Sequence, residues 1–133
     1  MKKLTVMILI LAAVLWGCAK EADHQPTGAA NVTMTLSQVT PTGARVTIQD
    51  DNREPLVYGS WFQLQREKEG VWYEVKTKIS SHGFDEMGWL PDDRGALTMD
   101  VDWEWLYGKL PVGHYRMLKQ AGTQMMGAEF TLE

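Results

Sequence analysis

Leu97, Met99, Val101 and Trp103 alternate with Thr98, Asp100, Asp102 and Glu104. An apolar residue at every second position turns one face of an extended strand toward a core and the other toward water. A helix, with its 3.6-residue period, would scatter the same residues around its axis. The pattern recurs along the chain. Val32, Met34 and Leu36 alternate with Thr33, Thr35 and Ser37; after the turn residues Pro41-Thr42-Gly43, Ala44, Val46 and Ile48 alternate with Arg45, Thr47 and Gln49. Residues 56–65 read as a third strand with Gly59 as a bulge, Phe62 and Leu64 on one face and Trp61, Gln63 and Gln65 on the other. The charged turn over residues 66–70 joins it to a strand over residues 71–75 as a hairpin.

Residues 76–85 carry no period, and Met87, Trp89 and Leu90 form a short edge strand. The segment from Trp103 to Lys119 is expected to finish one strand, turn sharply through Leu110-Pro111-Val112-Gly113, and return as another. There Tyr115 and Met117 alternate with Arg116 and Leu118. Ala121-Gly122-Thr123 then turns the chain into a final strand with Ala128, Phe130 and Leu132, and Met125-Met126-Gly127 sits at its hairpin end. β-Branched and aromatic residues dominate the apolar positions, which disfavours helix throughout. Seven or eight short strands in about 100 residues describe an all-β fold, an antiparallel β-sandwich, with a small barrel as the competing closure. Period-2 alternation alone does not separate the two.

The first residues are of another kind. Lys2 and Lys3 precede an apolar run from Leu4 to Trp16 that is shorter than the roughly 20 residues a membrane span needs. The run fits a signal peptide over residues 1–17. Leu15-Trp16-Gly17-Cys18 resembles the lipobox of bacterial lipoproteins, with Trp16 where that family usually has a small residue. The resemblance implies cleavage before Cys18, a diacylglyceryl group on its thiol, and a place on the extracytoplasmic face of the cell membrane. Two acyl chains hold stably where one holds marginally. Cys18 is the only cysteine, so the fold has no disulfide. Such cleavage would leave 116 of the 133 residues. It would also remove two of the 13 basic residues and none of the 17 acidic ones, a formal charge of −6. An acidic domain of this kind excludes nucleic acid as a partner, because phosphate rewards clustered Lys and Arg. Residues 18–30, small and polar with Pro26 and Gly28, read as a flexible tether, with His24 a solvated residue within it. The folded domain then covers residues 31–133.

Two further resemblances rest on the later segment. Gly113-His114-Tyr115-Arg116-Met117 resembles the tyrosine corner of immunoglobulin-like domains, in which a tyrosine two residues before a core cysteine bonds back to upstream backbone. Here Tyr115 holds the tyrosine position and Met117 the cysteine position. Taken together, Tyr58-Gly59, Gly70-Val71-Trp72-Tyr73, Trp103, and Tyr107-Gly108-Lys109-Leu110-Pro111-Val112-Gly113-His114-Tyr115-Arg116 resemble a bacterial immunoglobulin-like domain family (motif W…YG-x-L-P-x-G-x-Y-R). This resemblance covers residues 31–133. It implies an immunoglobulin-like sandwich in an exported or lipid-anchored protein, and no activity.

The residues themselves supply no catalytic set. The three histidines, His24, His82 and His114, have no metal-ligand partner at i+2 or i+4. Ser80-Ser81-His82 is a loop tripeptide, and the acid pairs Asp85-Glu86 and Asp92-Asp93 read as solvated. Residues 50–55 form a polar turn whose spacing fits no calcium loop. No enzyme, metal or cofactor is expected. Trp61, Trp105 and Tyr107 fall on faces away from the expected core, and they are the candidate contact residues for a protein or glycan partner.

Overall fold

The computed structural model describes residues 20–79 and 82–133; residues 1–17 and Cys18 lie outside them, as do Ser80 and Ser81. The strands are β1 (Val32–Thr40), β2 (Gly43–Asp50), β3 (Tyr58–Gly59), β4 (Gln63–Lys68), β5 (Val71–Glu74), β6 (Gly88–Trp89), β7 (Ala96–Asp102), β8 (Gly113–Ala121) and β9 (Gln124–Leu132). One helical turn, α1 (Glu104–Tyr107), lies between β7 and β8. The order β1-β2-β7 makes one antiparallel sheet and β5-β4-β8-β9 the other, while β3 and β6 pair as a two-stranded ribbon. The sheets do not join into a barrel. In the constant-type immunoglobulin sandwich the fourth strand pairs with the fifth. Here the strand in that fourth place, β5 once the short β3 is set aside, joins the other sheet beside β4, and β7 is left at a sheet edge.

The alternation sets the core. Val46 and Ile48 from β2 and Leu64, Met117 and Tyr115 from the facing sheet are at most 1 % exposed. Trp103, Phe130 and Tyr115 stack in a column, with ring centroids 5.5 Å and 5.4 Å apart and planes within 22°. Offset stacking of this kind adds about 0.5–1.5 kcal/mol per pair beyond area burial. The Tyr115 hydroxyl donates to the Pro111 carbonyl at 2.7 Å, closing a tyrosine corner, and Arg66 lies over the same ring while donating to the Val112 carbonyl. Met117 fills the site of the usual cysteine with no exposure. Tyr115→Phe should therefore cost about 1 kcal/mol in a urea titration, the worth of one half-buried hydrogen bond; an unchanged midpoint would mean that the corner does not hold the turn.

Several expectations need correction. The strand through Trp103 stops at Asp102, because the Asp102 carboxylate accepts the Glu104 N–H at 2.9 Å and starts α1. Trp103 thereby rolls into the gap between the sheets, where its Nε1 donates to the Pro41 carbonyl. The strand over residues 56–65 is two pieces, β3 and β4. The turn after β4 is only Glu69-Gly70, both at positive φ, so the strands run on to Lys68 and Val71.

A further correction concerns the expected tether. Residues 20–28 form a strap across the outer face of the four-stranded sheet. At one end Lys20 and Ala22 pair with the free edge of β5: the Glu74 N–H donates to the Lys20 carbonyl and Ala22 N–H to the Trp72 carbonyl. The strap then meets the strands in spatial order. Gln65 of β4 donates to the His24 carbonyl, Arg116 of β8 donates to Gln25, and Pro26 lies against Gly127 of β9. A Cβ on Gly127 would sit 2.7 Å from Pro26, so only glycine lets the strap pass. Thr27 and Gly28 N–H groups finish on the Met125 carbonyl. Three strand spacings are about 14 Å, and five extended residues reach about 17 Å, so the lengths match. Beneath the strap, Arg116 stacks on Trp72 at 4.1 Å and donates to Gln65 at 2.6 Å.

The polar turn after β2 also differs from the solvated loop expected. Asp50 is buried and accepts from the Tyr58 hydroxyl, the Leu56 N–H, and both the backbone and side chain of Asn52. Desolvation pushes its pKa up, but these hydrogen bonds outweigh that and hold it below the usual carboxylate range.

Candidate functional site

The chain between β5 and β6 places one aromatic, Phe84, over the mouth of the sandwich. Its ring meets Phe62 at 5.4 Å, Trp105 at 5.9 Å and His82 at 6.0 Å, each edge to face. Phe84 divides this end into two grooves. The first has a volume of about 430 Å³ and is lined by Trp61, Phe62, Glu74, His82, Phe84 and Tyr107, among others. The second, about 370 Å³, runs between β7 and a wall that includes Phe84, Trp89, Trp105 and Lys119.

The sequence-predicted residues divide between them. Trp61, in the β3–β4 connection, is half-buried and meets His24 of the strap edge to face at 5.7 Å. His24 is thus exposed but seated on Trp61. Tyr107 faces the same groove, but its hydroxyl accepts the Leu64 N–H at 3.2 Å, so it also fixes β4. Burial pushes the Tyr107 hydroxyl pKa up. Trp105 lies across Phe84 in the second groove and is 41 % exposed, because α1 turns its neighbour Leu106 into the core. Tyr115, Met117 and Gly113 belong to the corner and not to either groove.

Sequence reasoning missed Phe84, which sits in a stretch without period. It also missed Lys119, although the signal was present: Lys119 shares the inward parity of Tyr115 and Met117. Its side chain is 1 % exposed, and Nζ donates to the Gly59 and Trp61 carbonyls at 2.9 Å each. Burial lowers its pKa from 10.5 to about 8. The ammonium thus ties β8 to the β3–β4 connection and fixes the backbone on which Trp61 is carried.

Other polar groups gather without forming a catalytic set among the described residues. The Ser60 hydroxyl donates to Asp85. His114 holds Glu129 through Nε2 at 2.7 Å and Thr131 through Nδ1 at 2.9 Å. The donor atoms of Glu67, His114 and Glu129 lie within 4.8 Å of one another, brought together by β4, β8 and β9, a juxtaposition that i+2 or i+4 spacing does not report. In that group His114 already spends both ring nitrogens, Nε2 on Glu129 and Nδ1 on Thr131.

Residues 28–131 match the family model described as a bacterial Ig-like domain. The chain belongs to this family. No curated protein and no solved structure matches it. The bacterial Ig-like match begins at Gly28, where the strap ends, so residues 20–27 lie outside the matched region. Domains of this family are typically non-catalytic interaction modules. Both grooves are built on the bacterial Ig-like frame: the β3–β4 connection and α1 supply Phe62 and Tyr107, and β7 supplies the floor beside Trp105.

Proposed function

We propose that this bacterial Ig-like domain is a lipid-anchored, non-enzymatic interaction or scaffolding module of the cell envelope. Cys18 carries the anchor, and the partner contacts the aromatic end of the sandwich. The observation that supports contact there is the pair of grooves that gathers Trp61 and Tyr107 on one side of Phe84 and Trp105 on the other. Half-exposed aromatic rings bring large contact area at small entropic cost, which is why they recur in interface hot spots. Trp61 also favours a second reading, a receptor for a glycan, because a ring accessible along a groove can stack on a sugar face.

The anchor is tested by feeding labelled palmitate to cells that express the chain. Label should enter the wild type and be lost from Cys18→Ala; equal labelling of both would remove the anchor from this reading.

A further inference from the structure

The β7 edge is open, and its chemistry selects what can pair with it. At one end of the strand the Trp103 N–H donates to the Thr42 carbonyl, and at the other the Asp50 N–H donates to the Gly95 carbonyl. In an antiparallel ladder the hydrogen-bonded pairs alternate. With the β2–β7 register, Leu97, Met99 and Val101 therefore spend their backbone groups on β2, and Ala96, Thr98, Asp100 and Asp102 point theirs away. Asp92 takes both groups of Ala96: its carboxylate accepts the Ala96 N–H and its N–H donates to the Ala96 carbonyl, each at 2.9 Å. Among the described residues, nothing bonds the outward N–H and C=O groups of Thr98, Asp100 and Asp102.

Such an edge is a template for one more strand. The groove that holds Trp105 runs along it, with Met99 to Asp102 as its β7 wall. A strand added to β7 would point alternate side chains into this groove, against Trp89 and Trp105. The others would flank the side chains of Thr98, Asp100 and Asp102. Opposite charges across neighbouring strands stabilise and like charges repel. Arg45 pairs with Asp100 at 2.8 Å from the β2 side, yet the Asp100 side chain stays 74 % exposed toward the open side. Two copies of this chain meeting through β7 would set acid against acid, so a second copy is the wrong occupant. We propose that the open β7 edge accepts an extended segment of a partner protein as an added strand, with Lys or Arg beside Asp100 and Asp102 and apolar side chains in the groove between Trp89 and Trp105. This goes beyond the proposed function and does not depend on the anchor or on the Trp61 groove.

The probe is an eight-residue peptide of alternating Lys and Val, titrated against the full-length chain in detergent by fluorescence anisotropy. Two controls accompany it: a Glu/Val peptide, and a Lys/Val peptide methylated at alternate backbone nitrogens. The Lys/Val peptide should bind at least tenfold more tightly than either. Thr98→Pro should weaken it by a similar factor, since proline removes an outward N–H and leaves the β2 ladder intact. Its urea midpoint, compared with wild type, reports whether the fold is kept. Equal binding of the methylated peptide would overturn the proposal, because the attraction would then need no strand pairing. Equal binding of the Glu/Val peptide, or no binding of the Lys/Val peptide, would overturn it too. Concentration-dependent dimerisation in sedimentation that disappears in Thr98→Pro would overturn it in favour of a second copy.

Discussion

Replacing Trp103 with alanine is expected to lower stability by about 3–5 kcal/mol, the range for deleting a large aromatic from a close-packed core. The reasons are specific to its place. Trp103 has no exposure, stacks on Phe130 at 5.5 Å, and donates from Nε1 to the Pro41 carbonyl at 2.9 Å. Its removal leaves a void between the sheets and takes away the side-chain hydrogen bond to the β1–β2 turn. Trp103→Phe should recover part of the loss, since it keeps the stack and gives up the hydrogen bond. Urea titrations of the three proteins, followed by far-UV circular dichroism because the probe tryptophan is removed, measure both steps. A loss below about 1 kcal/mol for Trp103→Ala would show that the column of rings does not hold the sheets together.

The second large effect is a pH dependence set by Lys119. In the folded chain its pKa is about 8, against 10.5 for the ordinary side chain. Below pH 8 both folded and unfolded chains hold the proton, and the folded state bears the full cost of a buried ammonium. Between pH 8 and 10.5 the folded chain releases the proton while the unfolded chain still binds it, so stability rises with pH. Above 10.5 both are neutral and the gain is complete. At 1.36 kcal/mol per pKa unit the gain is about 3 kcal/mol. Lys119→Met lacks this term. Measured in urea at pH 7, 9 and 10, the stability of the wild type minus that of Lys119→Met should climb with pH. Tyrosine ionisation, common to both proteins, cancels in the difference. A flat difference would mean that water reaches the ammonium.

These two residues also show what was legible in the sequence. Val46, Ile48, Leu64 and Met117 could be placed in a sandwich core because backbone pleating converts alternation directly into facing. Tyr115 could be placed at a corner because its hydroxyl needs only the local chain to find Pro111. Trp103 was assigned to the core but to the wrong element, since the Asp102 side chain that ends β7 leaves no mark on the apolar period. Lys119 is hidden for the opposite reason: it continues the inward parity of Tyr115 and Met117, but a charged side chain is almost never fully buried unless paired. The strap was illegible for a further reason. It is held by backbone groups of Lys20, Ala22, His24 and Thr27 and by the absence of a side chain at Gly127, and none of these makes a periodic pattern. The grooves were half legible. Aromatics on outward faces marked Trp61 and Trp105, while Phe84, which joins and divides them, came from a stretch with nothing to read.

The strap changes the reach of the molecule. A free tether from Cys18 to residue 31 could extend about 45 Å, enough to let the domain turn in any direction above a bilayer. With Lys20 already hydrogen-bonded to β5, only two residues, about 7 Å of chain, separate a lipid on Cys18 from the folded body. Under the proposed anchoring the domain would stand at the headgroups by its β5 end, with little freedom to swivel. It could meet only partners that come to the membrane surface.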